Sequence, residues 1–342
     1  MEGNMELNND EIIQKITENR AKQGRQVQPS TMKIYLNNIG AVSKMMNDGK
    51  CLCGFDWLEN MDDVLKKLEE KDLNFTTIRN YLNSIIIYLF AFNDDGSLDA
   101  MIKMYEIKRD ELNQQYDEMN ASNQWSDNQA KNMITKEDLD KVITQIGQEI
   151  KQQKLKETLV CNVNQKGLLQ AYLLLNIHRT LPLRNELGNC RVMRKRDYNK
   201  ETIEMKNKTN YLVIEKSKMT FYFNDFKTQK KYGERVIDVP PHLKKIIRFY
   251  LRFFPGEQYL LCKWDGTPIG TNNVSQLLTK QFKKRIGKSV STTLLRKVFL
   301  SDKYMGVKEQ LKDMAQDNLV MGHSQATALK VYTKPPPPAE QL

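Results

Sequence analysis

The sequence predicts a mainly α-helical protein with one small antiparallel β-sheet, divided into two domains. Apolar residues recur at three- and four-residue spacing along most of the chain, the pattern of amphipathic helices. β-Branched and aromatic runs between turn signals are confined to residues 211–239. Residues 119–132 are rich in Asn, Gln and Ser and cannot bury enough apolar area to fold alone, so they mark a boundary. A length of 342 residues suffices for two cores without disulfides or metals.

Taken in order, Asn8 and Asn9 can cap a mostly polar helix that runs to Gln23 before Gly24 and Pro29, and residues 1–29 read as a polar N-terminal arm. A helix from Pro29 places Met32, Tyr35, Leu36, Ile39 and Val42 on one face. Val64, Leu65 and Leu68 continue the pattern, as does the series from Ile78 to Phe90, so residues 30–118 form a compact helical module. Residues 119–134 are the linker. Thr135 with Asp138 three positions on supplies a cap for the helix through Leu139, Val142, Ile143 and Ile146, and residues 167–178 form a buried helix. Strands follow at 211–215, 219–223 and 235–239, then helices at about 242–254, 273–286, 291–304, 307–319 and 324–332. Residues 335–342 form a proline-rich tail.

The 53 Lys and Arg outnumber 42 Asp and Glu, for a formal charge of +11, which suits a polyanionic partner. The excess is concentrated. Between Leu277 and Lys297 lie Lys280, Lys283, Lys284, Arg285, Lys288, Arg296 and Lys297 with no acidic residue, either a solvated face or a surface for phosphate. The 5 cysteines are scattered and odd in number, as expected in a reducing compartment, and Cys51-x-Cys53 lacks a second pair to complete a zinc site. No apolar run is long enough to span a bilayer.

The motifs that carry chemistry lie in the second half. Gly322-His323 stands nine residues ahead of Tyr332; Leu181-Pro182-Leu183-Arg184-Asn185-Glu186-Leu187 ends a helix before the strands; Thr293-Leu294-Leu295-Arg296 lies on a later helix; and Asp225-Phe226-Lys227-Thr228-Gln229-Lys230-Lys231 joins two strands. Taken together, residues 135–334 resemble the catalytic domain of the tyrosine recombinase (phage integrase) family, and residues 30–118 resemble, more weakly, its helical core-binding domain. The flavour is that of integrases from large DNA viruses, virophages and related mobile elements.

The resemblance implies a site-specific DNA strand transferase. Tyr332 would attack a DNA phosphodiester to give a 3′-phosphotyrosyl intermediate and a free 5′-hydroxyl. Arg184 and Arg296 would present planar, permanently charged forks to the phosphate, His323 would hydrogen-bond it, and Lys227 would protonate the departing oxygen, with Lys230 and Lys231 as competitors on the same turn. Glu186 follows the arginine by two positions where the family has three, and Thr293 replaces the usual histidine; a hydroxyl can bond a phosphate but cannot shuttle a proton near neutral pH. Lys230, Lys231, Lys280, Lys283, Lys284, Arg285, Lys288 and Lys297 would contact DNA. The implied partners are double-stranded DNA and three further copies in a homotetramer on two sites, with no membrane and no metal or nucleotide cofactor. A recombinase fold that binds DNA without turnover, and a relaxing topoisomerase of type IB chemistry, are the alternatives.

Overall fold

The computed structural model describes residues 9–49, 54–121 and 125–332, and the chain divides into two compact units, Met1–Gln124 and Trp125–Leu342. Cys51 and Cys53, and the proline-rich tail, lie outside the described residues.

The first unit is helical: α1 Asn9–Lys22, α2 Pro29–Met46, α3 Met61–Glu69, α4 Phe75–Phe92 and α5 Asp99–Ala121. α4 is its centre, because Leu82, Ile85, Ile86, Ile87, Tyr88, Leu89 and Ala91 cover more than one face and all are buried. α1, α2 and α5 pack around it. Asn74 caps α4 by accepting from the Thr76 N–H, and the Tyr105 hydroxyl on α5 donates to the Leu58 carbonyl at 2.9 Å, satisfying a buried phenol. The segment expected as a polar arm is corrected here. Ile12 and Ile16 on α1 enter the core of the unit, and Asn19 donates to the Phe90 carbonyl at 3.0 Å. Two apolar residues one turn apart are too weak a stripe to stand out in a polar helix, yet they suffice to seat it.

The second unit contains α6 Asp127–Asn132, α7 Lys136–Gln152, α8 Val163–Thr180, β1 Arg191–Arg194, α9 Lys195–Lys200, α10 Ile203–Lys208, β2 Tyr211–Ile214, β3 Met219–Phe223, α11 Gln229–Tyr232, β4 Arg235–Asp238, α12 Pro241–Leu251, α13 Thr271–Ile286, α14 Thr292–Met321 and α15 Gln325–Thr327, with a π-helical turn Ala328–Tyr332. Capping boxes start α7 (Thr135 with Asp138) and α8 (Asn162 with Gln165). α8 is buried on several sides and contacts α7, α12, α13 and α14.

The sheet runs in the order β1-β2-β3-β4. β2–β3 and β3–β4 are antiparallel, as expected, but β1 lies parallel to β2 with Arg191 beside Tyr211, so the sheet is mixed. The crossover between them carries α9 and α10, since parallel neighbours cannot be joined by a tight turn. β1 escaped prediction because its four residues, Arg-Val-Met-Arg, are flanked by charge and only partly buried.

Two further expectations are corrected. Part of the expected linker is α6, held in place by the Lys297 ammonium on Gln129 Oε1 at 2.6 Å and by Asn132, which accepts from the Ser289 N–H. The helices expected at 291–304 and 307–319 are one, α14. Gly306 lies inside it, and the cost of an interior glycine, about 1 kcal/mol relative to alanine, does not break a helix that meets no proline. α14 ends at Gly322, whose φ of 68° supplies the left-handed cap.

If α1 belongs to the core, Ile16→Ala lowers the unfolding free energy of the first unit by about 2–4 kcal/mol, the usual cost of emptying a buried aliphatic site. Exposed Glu11→Ala changes it by less than about 0.5 kcal/mol. Urea denaturation followed by fluorescence and circular dichroism measures both; equal midpoints for Ile16→Ala and wild type would restore the arm.

Candidate functional site

In the second unit the Arg235 guanidinium pairs with the buried Glu186 carboxylate, and the charges of Arg184, Glu186 and Arg235 all bear on Arg296. α8 stops at Thr180 because Pro182 forbids its continuation, and a tight turn about Pro182, closed by the Leu183 N–H on the Leu181 carbonyl at 2.8 Å, leads through buried Leu183 to half-buried Arg184. Asn185, the next residue, fastens this segment to the start of α14. Its Oδ1 accepts from the Thr292 hydroxyl at 2.8 Å and from Ser275 on α13 at 3.4 Å, and the two hydroxyls lie 3.1 Å apart. Ser291 caps α14 by accepting from the Leu294 N–H, and Arg296 follows on the second turn.

A short 3-10 turn, Glu186–Asn189, comes next and is pressed against the start of α13. The Gly270 N–H donates to the Gly188 carbonyl at 3.1 Å, and a Cβ on Gly188 would fall 2.4 Å from the Gly270 oxygen. Only glycine permits that approach. Glu186 is thereby held inside, 5% exposed, and its Oε1 accepts from Arg235 Nη2 at 2.9 Å. Arg235 opens β4 and lies over the Phe226 ring, 3.9 Å from its centroid.

The electrostatics report the same convergence. Burial pushes the Arg296 guanidinium pKa down, the positive charges of Arg184 and Arg235 push it further, and Glu186 opposes them. Three guanidiniums against one carboxylate leave the cluster with an excess of formal positive charge. Glu186 Oε2 and Arg235 Nε are buried and find no hydrogen-bond partner among the described residues.

His178 lies buried in the last turn of α8, with Nδ1 2.9 Å from the Leu174 carbonyl. Burial lowers its pKa; the carbonyls of Leu174 and Arg184 and the charge of Glu186 act against that, and Arg296 acts with it. A neutral imidazole therefore underlies the Arg184 segment.

The turn bearing Lys227 is fixed at both ends to this cluster. Asn210 accepts from the Asn224 and Asp225 N–H groups at 2.9 and 2.8 Å, and its amide donates to the carbonyls of Asp225 and Glu186 at 2.8 and 3.2 Å. The far end is Arg235, on the Glu186 carboxylate. Lys227, Lys230 and Lys231 are exposed between the two anchors.

The other expected site residues are not gathered in one chain. α14 carries His323 away from Arg296: 25 residues separate Arg296 from the helix end at Met321, roughly 37 Å at 1.5 Å per residue. There His323 lines a shallow cleft with Asp313, Asp317, Asn318 and Ala328. Ser324 caps α15, and Gln325 donates to the Leu311 carbonyl at 3.4 Å, so the tail folds back on the outer part of α14. The backbone of Tyr332 closes the π-helical turn, and its side chain lies outside the described residues. Thr293 is exposed and lines a small polar cleft with Asn128, Gln129 and Lys297.

Part of the basic block is structural. Arg285 is 4% exposed at its side chain and pairs with Glu149 at 2.6 Å, so it cannot contact DNA as expected. Lys288 bonds the Met133 carbonyl, and Lys297 is engaged by Gln129 and lies 4.8 Å from the centre of the Trp125 ring. Lys280, Lys283 and Lys284 remain exposed on α13, with Lys284 3.6 Å from Glu149. Arg235, Asn185 and Asn210 are the members that sequence reasoning missed. Arg-Val-Ile-Asp announced a strand, and nothing local distinguished its first residue.

Neither a family model nor a curated protein matches this chain.

His178 gives a pH signature. Its folded pKa is depressed below the ordinary value of 6.5, so as pH falls below about 6.5 the unfolded chain takes up a proton that the native state refuses, and stability declines. Above that pH the contribution is constant. Denaturation midpoints between pH 7.5 and 5 should show the decline in wild type and a shallower one in His178→Gln; parallel slopes would contradict it.

Proposed function

We propose that this chain is a DNA strand transferase of the tyrosine recombinase type, with the helical first unit as the DNA-binding core-binding domain and the second as the catalytic domain. The supporting observation is the convergence of Arg184 and Arg296, 112 positions apart in sequence, on one half-buried cluster with excess positive charge.

In this chemistry the scissile phosphate sits against the arginines, which stabilise the charge that develops on its non-bridging oxygens. The Tyr332 phenolate attacks phosphorus, a phosphotyrosyl bond forms to the 3′ side, and the bond to the 5′ oxygen breaks. Lys227, or a neighbour on the same turn, gives that oxygen a proton. Attack by a 5′-hydroxyl on the phosphotyrosine reverses the step and joins a new strand, so bond energy is conserved. Arg235 is placed to add a third donor while Glu186 holds it in register. Lys280 and Lys283, exposed on α13, are suited to the flanking backbone.

A second proposal, DNA binding without turnover, is favoured by one observation: His323 and the cluster lie far apart in a single chain. Nicked duplexes from the DNA flanking the coding sequence separate the two, because a nick lets the 5′ fragment leave and traps the covalent adduct. Wild type should give an adduct on denaturing gels and Tyr332→Phe none. Arg184→Ala and Arg296→Ala should each lower the trapping rate by about 10²–10³, the usual consequence of losing one preorganised donor. Binding without adduct in wild type, or equal trapping by Tyr332→Phe, would leave only the binding protein. Affinity should fall by orders of magnitude between about 50 and 200 mM salt if several phosphates are contacted.

A further inference from the structure

The first unit contains a cavity of about 290 Å³ where the end of α1 meets α4 and α5. Asn83, Ile86, Ile87 and Phe90 line it from α4, at the three- and four-residue spacing of one helix face. Ile86 and Ile87 are 3 and 9% exposed and make an apolar floor, while Phe90 is 36% exposed. Asn83 is half-buried, and its amide has no hydrogen-bond partner among the described residues.

The charged wall follows from the way α1 ends. Gly24, at a φ of 67°, closes the helix in a Schellman turn: its N–H donates to the Ala21 carbonyl at 2.9 Å, and the Arg25 N–H donates to the Arg20 carbonyl at 2.9 Å. That closure carries Arg25 back to the cavity that Arg20 also lines. A relay of hydrogen bonds fixes Arg20: its Nη1 donates to Gln23 Oε1 at 2.9 Å, Gln23 donates to Asn19 Oδ1 at 3.1 Å, and Asn19 donates to the Phe90 carbonyl. From α5, Arg109 lines the same space, paired with Glu106 at 3.6 Å and, outside the cavity, with Asp110 at 2.8 Å. The Arg25 guanidinium has no ion pair or hydrogen bond among the described residues. Three guanidiniums therefore share the lining with one carboxylate, and positive charge stays in surplus when Asp110 is counted.

A phosphate monoester, with about 1.5–2 negative charges at pH 7, suits such planar forks. A flat ring suits the apolar floor beside Phe90, and the Asn83 amide, donor and acceptor side by side, can pair with the edge of a heterocycle as asparagine does with adenine. The volume is near the lower limit of small-molecule sites, about 300 Å³, which restricts the occupant to one compact molecule. A recess with Glu106 in its wall disfavours the convex, evenly charged backbone of a duplex.

We propose that this cavity binds a small phosphate monoester bearing a heteroaromatic ring, the chemistry of a nucleoside monophosphate, with the phosphate among Arg20, Arg25 and Arg109 and the ring over Ile86, Ile87 and Phe90. The site belongs to the first unit and does not depend on the strand-transferase proposal.

Isothermal titration calorimetry of the full chain with AMP, GMP, CMP and UMP tests it, with the matching nucleosides and inorganic phosphate as partial ligands. At least one nucleotide should bind one to one, and at least about tenfold more tightly than either of its parts. Arg20→Ala and Arg25→Ala should each weaken that binding by about 10–100-fold, the effect of losing a charge-assisted hydrogen bond. Arg25→Ala, at an exposed position, should leave the thermal midpoint unchanged. Asn83→Ala should weaken the nucleotide and leave the affinity for inorganic phosphate as it was. No binding of any of the four at about 1 mM, phosphate bound as tightly as the best nucleotide, or an affinity unchanged in both arginine variants would overturn the proposal. Displacement of the nucleotide by a duplex with 5′-hydroxyl ends, which carries no monoester, would assign the arginines to a DNA backbone and overturn it equally.

Discussion

Three guanidiniums cannot face one another unless the fold holds each from behind. Around Glu186 that support comes from different parts of the second unit: the arrest of α8 at Pro182 for Arg184, the capped start of α14 for Arg296, and the edge strand β4 over Phe226 for Arg235. The Asn185–Thr292–Ser275 bonds and the backbone contact of Gly188 with Gly270 join these supports into one block. Mutual repulsion of the arginines is thus borne by packing and offset by one buried carboxylate.

The position of Glu186, two residues after Arg184, acquires a meaning in this setting. A 3-10 turn begins at Glu186, with Asn185 as its N-cap, and residue 186 is buried while Arg184, two positions earlier, is half-buried. The carboxylate then serves Arg235 through a 2.9 Å bond, while its charge also bears on Arg296 and His178.

Most of the helices and three of the four strands were legible in the sequence because their periodicity is local. Two kinds of feature were not. Features that depend on a distant partner leave no local trace: Arg285 read as an unopposed cation until Glu149, 136 positions earlier, is found beside it, and Ile12 and Ile16 read as incidental until α4 covers them. Features that depend on the absence of a break were misread too, as with Gly306 inside α14. For the candidate site, the sequence picked out Arg184 and Arg296, which the structure brings together. His323 could not be placed, because its distance from them is set by whether one helix or two connects them.

The segment between Asp225 and Arg235 has both ends held at Glu186 and three lysines in between. A segment tethered at two points explores a small volume, so the three ammoniums it carries stay near the anchors at Asn210 and Glu186. Redundancy follows from that confinement: with Lys227, Lys230 and Lys231 on one short, doubly anchored segment, loss of a single lysine leaves two cations in the same neighbourhood, and the local positive charge becomes a property of the loop more than of any one side chain.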